Sequence, residues 1–228
     1  MNTHHTHTKD RSCKSAFTLI EMLVVIAIIG FLSSMVSVAV QKGLDSGKSM
    51  GCRSNIKQML VAVMAYNVDH RGAFPSMKSN SYWDTWQIQL EEYLGFEATP
   101  EMSTPRFLRC PAQTYNSDAF YDSILKGDYG INRRIVNIFE TYTDLKIHDI
   151  NYPTTTILFA DELGNWQRDI FNSDFDDPTE SRRWRHNGSI NFGFMDGHIE
   201  GMKFKDIETR GYLNIDNWRY GWRDGINN

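Results

Sequence analysis

Hydrophobic residues are distributed very unevenly along this chain. Residues 22–40 are almost wholly apolar, whereas the chain as a whole has a mean hydropathy of -0.46. As an α-helix, residues 17–40 would be roughly 36 Å long, compared with about 30 Å for the hydrocarbon core of a bilayer. Glu21 is the only charged residue in this stretch. The pattern predicts a membrane-spanning helix over residues 17–40.

A second apolar pattern follows, with a different spacing. Its apolar residues recur at intervals of three and four, which is typical of a helix with one buried face. They are Ile56, Met59, Leu60, Val63 and Met64. The spacing predicts an amphipathic half of the same long helix over residues 41–70, with its apolar face packed on a sheet.

Three glycines at four-residue spacing separate the two patterns. Gly43, Gly47 and Gly51 each cost about 1 kcal/mol relative to Ala inside a helix. Two interpretations stay open, because such glycines either weaken a helix or let a neighbouring segment approach it closely.

The remaining residues, 71–228, have the pattern of a mixed globular region. Strand-like runs occur at residues 155–160 and 189–195, and Asp196-Gly197 is a two-residue hairpin signal, since both positions tolerate positive φ. A short helical pattern covers residues 83–93. We predict an α+β fold in which the long N-terminal helix packs on an antiparallel sheet.

Charge and local context exclude some functions. The 228 residues carry 24 Lys and Arg against 28 Asp and Glu, a formal net charge of -4. Binding to nucleic acid generally needs a strongly basic surface, so we predict no nucleic-acid partner. Ser49 lies in a Gly-x-Ser-x-Gly sequence, but inside a helical pattern rather than between a strand and a helix. We predict that the chain is not an enzyme.

A polar leader over residues 1–16 precedes the apolar run. It carries Lys9, Arg11 and Lys14, with Asp10 its only acid, which is the positive flank expected on the cytoplasmic side of a membrane helix. An ordinary secretory signal is the alternative, because Ser37-Val38-Ala39 offers a cleavage pattern after the apolar run. Such a signal does not need an acid like Glu21 at the start of its apolar segment.

The junction between leader and helix has a specific sequence. Lys14-Ser15-Ala16 followed by FTLIEMLVVIAIIG resembles the prepilin cleavage and methylation motif of type IV pilins and type II secretion pseudopilins. The resemblance implies that a prepilin peptidase cuts between Ala16 and Phe17 and methylates the new amine of Phe17. The family usually has Gly where this chain has Ala16, a departure that keeps the residue small.

Glu21 is an acidic residue inside a segment predicted to span a membrane. A carboxylate inside a membrane costs about 2.5–3.5 kcal/mol and normally implies a partner. The resemblance implies that Glu21 pairs with the methylated amine of an adjacent subunit during assembly. The alternative is that its side chain only reaches to the membrane interface.

The C-terminal part carries a second resemblance. In RHNGSINFGFMDGHIEG, nine residues separate His186 from Asp196-Gly197. This spacing resembles the His-x(9)-Asp-Gly signature of a pilin-like subfamily, and the fragments CRSNIKQM, LRCPA, YGIN and ILFADE resemble the same subfamily.

The globular region contains one constellation with metal-ligand or acid-base chemistry, made of carboxylates and imidazoles from separate segments. Its members are Asp161, Glu162, His186, Asp196 and His198. We predict no cofactor, with Ca²⁺ the candidate ion if this set binds a metal. The alternative is that these residues are helix caps, turn residues and, for His186, a hydrogen-bonded structural side chain.

The cysteines indicate the compartment. Of the three, Cys13 lies in the leader, so cleavage leaves Cys52 and Cys110. An even pair in an extracytoplasmic domain predicts a disulfide, and two buried free thiols are the alternative.

Together these features favour a structural subunit of a type IV pilus or type II secretion filament. Its predicted partners are prepilin peptidase, copies of itself and other pilin-like subunits. Its predicted location is the inner membrane as a single-pass protein, with the C-terminal domain extracytoplasmic, and then a filament in the periplasm or at the cell surface. The alternative is an extracytoplasmic ligand- or metal-binding domain that only uses the prepilin anchor, with His186 and Asp196 in its site.

Overall fold

A computed structural model provides the architecture. It describes residues 18–75, 85–97, 99, 104–113, 127–132, 135–136, 145–161 and 184–210. The chain divides into two compact units, Met1–Gly43 and Leu44–Asn228. Ala16, Phe17 and Glu162 lie outside the described residues, so the predictions made for them stay predictions.

Helix α1 runs over Leu19–Asp69, in agreement with the long N-terminal helix predicted from the apolar patterns. Within the first unit its large apolar side chains are exposed, from Leu19 at 83% to Val25 at 46%. This helix is long and apolar enough to cross a membrane. In the second unit the spacing changes, and Ile56, Met59 and Leu60 are at most 1% exposed.

The second unit contains a four-stranded antiparallel sheet in the order β1-β2-β3-β4. The strands are β1 Tyr129–Ile131, β2 Ile157–Asp161, β3 Ser189–Phe194 and β4 Ile199–Lys203. Short helices are α2 Trp86–Gln89, α3 Glu91–Leu94 and α4 Phe204–Thr209, with 3₁₀ turns at Arg106–Leu108 and Ile147–Asp149. The predicted α+β class is confirmed.

Gly193, next to the last residue of β3, shows how closely α1 approaches the sheet. A Cβ atom at this position would lie 2.5 Å from Ile56 Cγ2 and 3.0 Å from Leu60 Cδ1. The absent side chain therefore makes room for the buried face of the helix. Hydrogen bonds flank this contact, because Arg53 Nε donates to Asn191 Oδ1 at 2.9 Å and Lys57 Nζ donates to the Gly197 carbonyl at 2.7 Å.

The three spaced glycines of α1 differ in their surroundings. The helix is continuous through all of them. A Cβ atom at Gly51 would lie 3.1 Å from Pro111 Cγ, whereas Gly43 and Gly47 have no described atom within 4 Å of that position. The close approach of Pro111 to the helix thus explains the glycine at position 51. It does not explain Gly43 or Gly47, for which both interpretations stay open.

The hairpin between β3 and β4 is present, but its turn differs from the two-residue turn predicted. Gly197 has a φ of 87°, while Asp196 does not have positive φ. Gly197 N donates to the Phe194 carbonyl at 2.9 Å, and Phe194 N donates to the His198 carbonyl at 3.0 Å. The connection is therefore a three-residue loop with glycine in the left-handed position, the next most common hairpin type.

Candidate functional site

The N-terminal end of α1 is capped by the side chains of Thr18 and Glu21. Thr18 N and Thr18 Oγ1 both donate to Glu21 Oε2 at 2.8 Å, and Glu21 N donates to Thr18 Oγ1 at 3.3 Å. This reciprocal arrangement is a capping box, which satisfies amides that a helix start leaves without partners. Sequence reasoning missed it, although Thr18-x-x-Glu21 has the required spacing. Glu21 therefore has a local partner in addition to any partner in another subunit.

A disulfide joins α1 to the loop that follows the Arg106–Leu108 turn. Cys52 and Cys110 have an S–S distance of 2.16 Å and Cα atoms 5.3 Å apart, with a sequence separation of 58. The loop is fixed from its other side as well, because Cys110 N donates to Asp128 Oδ2 at 2.8 Å. These are the two cysteines that the sequence analysis paired.

His186 and Asp161 lie beside this disulfide. His186 Nε2 is 2.8 Å from Asp161 Oδ2 and 3.4 Å from Cys110 Sγ. Asp161 ends β2, and its carboxylate also accepts from Asn191 N at 2.9 Å and Asn191 Nδ2 at 2.8 Å. The contact between Asp161 and Asn191 follows from the register of the sheet. Ala160 of β2 pairs with Phe192 of β3, and Asp161 and Asn191 are the chain neighbours of these two residues. All of these polar groups are buried.

A second buried carboxylate, Asp128, organises the neighbouring loops. Besides Cys110 N, it accepts from Gln113 Nε2 at 3.0 Å and lies 3.5 Å from Arg185 Nη1. Its side chain is fully buried and that of Arg185 is 3% exposed, so the pair is shielded from solvent. Removing one member of such a pair would leave an uncompensated buried charge.

Tyr129 and Asn55 connect α1 to β1 at the edge of this polar region. Asn55 Nδ2 donates to the Tyr129 hydroxyl oxygen at 3.0 Å and to the Arg109 carbonyl at 3.2 Å. Burial raises the pKa of the Tyr129 hydroxyl, so this group is neutral around neutral pH. The contact fixes the helix against both the sheet and the loop that carries Cys110.

The arrangement around His186 does not form a thiol-imidazole-carboxylate relay. In such a relay the base contacts the nucleophile through one ring nitrogen and the orienting acid through the other. Here Cys110 Sγ and Asp161 Oδ2 both lie at Nε2, while Nδ1 is buried without a hydrogen-bond partner among the described residues. What the geometry does provide is a convergence of four donors, from Cys52, Cys110, Asp161 and His186, within 4.8 Å of one another.

The structure separates the predicted metal or acid-base set. It brings Asp161 and His186 together, whereas Asp196 and His198 pair with each other on the exposed hairpin turn, with Oδ1 and Nδ1 2.5 Å apart. Burial opposes ionisation of Asp196, but the hydrogen bonds from His198 outweigh it and lower the pKa of this carboxyl. Sequence reasoning missed Asn191, although a polar residue between the apolar Ile190 and Phe192 of β3 was a signal that could have identified it.

Comparison with known families supports the N-terminal assignment. Residues 11–37 match the model of the prokaryotic N-terminal methylation motif. Comparison with curated proteins and with solved structures found no match. Because the motif leads directly into a long apolar helix that fits a membrane anchor, the chain fits a type IV pilin-like, prepilin-type protein.

Proposed function

We propose that this chain is a structural subunit of a type IV pilus or type II secretion filament. In this proposal, prepilin peptidase cleaves between Ala16 and Phe17 and methylates Phe17, and the mature chain then assembles with copies of itself and other pilin-like subunits. The observation that carries the proposal is the methylation motif at residues 11–37 leading into the exposed apolar part of α1.

The exposed apolar surface gives the physical reason for assembly. Phe31 and Ile26 are each 65% exposed, and the apolar residues around them continue along the first unit. Monomeric soluble proteins rarely expose a contiguous apolar surface of this kind, so it needs lipid or other subunits around it. In the proposal, the helix anchors the subunit in the inner membrane as a single pass and later forms the filament core, with the disulfide-bonded domain extracytoplasmic.

Glu21 has a geometry that suits pairing with an amine. Both Thr18 contacts use Oε2, and neither uses Oε1. The capping box therefore holds the carboxylate at the start of the helix, while Oε1 accepts no hydrogen bond from the described part of the chain. Cleavage before Phe17 would create a cationic amine next to Thr18 in sequence, and a neighbouring subunit would supply such an amine to Oε1.

Glu21→Gln and Glu21→Ala together test this role. Glutamine keeps an acceptor that closes the capping box but has no charge, whereas alanine loses both. We expect normal membrane amounts of both variants, since removing the acid makes insertion easier. We expect neither to enter filaments, because an unpaired buried amine costs several kcal/mol. Membrane fractionation and recovery in sheared filaments measure the two steps.

The outcomes separate three explanations. Loss of filaments with alanine but not glutamine would mean that Glu21 acts only as a helix cap. Equal incorporation of both variants and the unchanged chain would refute the assembly role. Mass spectrometry of the wild-type N-terminus is the prerequisite: a methylated Phe17 supports the proposal, and a start at Val40 would indicate ordinary signal-peptidase release instead.

A prepilin-anchored ligand- or metal-binding domain is the second candidate. The observation that favours it is the buried convergence of Cys52, Cys110, Asp161 and His186. Co-assembly distinguishes the two candidates, because a binding domain that only uses the anchor would remain in the membrane when filaments are sheared off.

A further inference from the structure

We propose that the reduced chain binds one zinc ion through Cys52, Cys110, Asp161 and His186, so that zinc and the Cys52–Cys110 disulfide are alternative links between α1 and the loop after the Arg106–Leu108 turn. One ligand atom from each residue lies within 4.8 Å of every other, and all four residues are buried. They come from α1, the loop after the Arg106–Leu108 turn, the end of β2 and the turn before β3. This site does not depend on filament assembly.

The donor chemistry is that of zinc. Two thiolates, an imidazole and a carboxylate are ligands that zinc takes in tetrahedral sites, whereas Ca²⁺ is bound by oxygen atoms alone. Zinc-ligand bonds of about 2.0–2.3 Å place neighbouring tetrahedral donors roughly 3.3–3.8 Å apart. His186 Nε2 is already 2.8 Å from Asp161 Oδ2 and 3.4 Å from Cys110 Sγ. Breaking the S–S bond and drawing together donors that now lie within 4.8 Å of one another would complete the site.

The orientation of the side chains points to a common centre. Cys110 Sγ and Asp161 Oδ2 both lie close to the same nitrogen of His186, at 3.4 Å and 2.8 Å from Nε2. A metal ion bound to Nε2 would have this sulfur and this carboxylate oxygen as neighbouring ligands. The carboxylate is held in position by two hydrogen bonds from Asn191, which in turn accepts from Arg53 Nε. Such outer hydrogen bonds orient metal ligands in known sites.

Replacement of the disulfide by zinc takes two steps. A dithiol reductant gives two electrons and two protons to the Cys52–Cys110 bond, which breaks into two thiols as the reductant becomes a disulfide. Zn²⁺ then displaces the two thiol protons, and the neutral imidazole binds the ion through Nε2 with its own proton on Nδ1. Because Cys52 and Cys110 are 0% and 3% exposed, a reductant reaches them only before the domain has folded. Zinc is therefore loaded during folding of the reduced chain.

The test uses the full chain, unfolded in reductant and refolded without oxygen in detergent with one equivalent of Zn²⁺. Peptide-resolved alkylation should show Cys52 and Cys110 reacting more slowly than in the same chain refolded without zinc, a control that accounts for protection by burial alone, while Cys13 reacts equally in both samples. X-ray absorption at the zinc edge should count two sulfur and two nitrogen or oxygen ligands. Metal held by the leader histidines His4, His5 and His7 would leave the reactivity of Cys52 and Cys110 as it is without zinc and would overturn the proposal.

A matched pair of histidine variants tests the ligand set. His186→Ala should weaken zinc binding by at least about tenfold, since even the loss of an outer hydrogen-bond partner costs 10–100-fold. His198→Ala removes an exposed histidine outside the group and should leave the affinity unchanged. Equal affinity of His186→Ala and the unchanged chain would show capture by the two thiols alone and overturn the site. If His186→Ala does not refold, the ligand count of the unchanged chain decides the question by itself.

Discussion

Leu32 and Leu60 are the same residue type in one helix, yet their surroundings are opposite. Leu32 is 54% exposed and Leu60 is 1% exposed. In the first unit apolar residues occupy all sides of α1, so no single face is available for a core. In the second unit they recur at intervals of three and four, and polar residues such as Arg53 and Lys57 border the face that meets β3. Apolar content therefore identifies both parts of the helix, but only the spacing tells which part is buried by the chain itself.

One of the two largest expected effects comes from removing the disulfide of the second part. Replacing Cys52 and Cys110 by Ser should lower the free energy of unfolding by about 4 kcal/mol, because the disulfide closes a loop with a sequence separation of 58. Urea unfolding in metal-free buffer with a chelator measures this change. Cys13→Ser is the matched control and should leave the midpoint unchanged. Equal stability of the double variant would mean that the disulfide does not stabilise the domain.

The leucine pair tests the comparison directly. Leu60→Ala should destabilise the C-terminal domain by about 2–5 kcal/mol, since it leaves a cavity under β3. Leu32→Ala should change its unfolding by less than about 0.5 kcal/mol, because Leu32 belongs to the first unit and is 54% exposed. Denaturation of both variants in the same detergent measures the difference. A destabilisation of similar size in both variants would contradict the conclusion that only the second part of the helix is buried in the core of the C-terminal domain.

Helices and strands were predictable from the sequence where the apolar residues recur with a clear period. The helix, β2, β3 and the hairpin to β4 follow from their patterns, and the sheet was expected to pack on the helix. Strand β1 was not assigned because Tyr129–Ile131 is only three residues long and has a central glycine. Its place depends on pairing with β2, which local sequence does not specify.

The buried group was only partly predictable for the same reason. Asp161 and His186 were recognised by residue type, but their actual neighbours are Cys110 and Asn191 rather than Asp196 and His198. Cys110 and His186 are 76 residues apart in sequence, and a register shift in β2 between Ile157 and Phe159 precedes the strand end that carries Asp161. A one-residue change of register would turn Asp161 to the other face of the sheet.

The smallest expected effect concerns the glycines at the boundary between the two patterns. Gly47→Ala should stabilise the C-terminal domain by up to about 1 kcal/mol, because alanine favours the helix and the added methyl group meets no described atom. For a chain of this size that corresponds to a rise in melting temperature of about 2–4 °C. Gly51→Ala should gain less, since its methyl group would lie 3.1 Å from Pro111 Cγ. Thermal unfolding of the two variants gives the comparison, and equal shifts would contradict it.

Filament recovery of the Gly47→Ala variant then decides between the two interpretations of the glycine spacing. A more stable domain that enters filaments normally would identify Gly47 as a locally weak position without a packing role. A more stable domain that is excluded from filaments would show that Gly47 is where another subunit approaches the helix closely, because a methyl group prevents close contact between helices. In that case the boundary between the two parts of α1 is itself an assembly surface. Its glycines then destabilise the helix of the isolated chain, and contacts between subunits offset this loss of stability only in the filament.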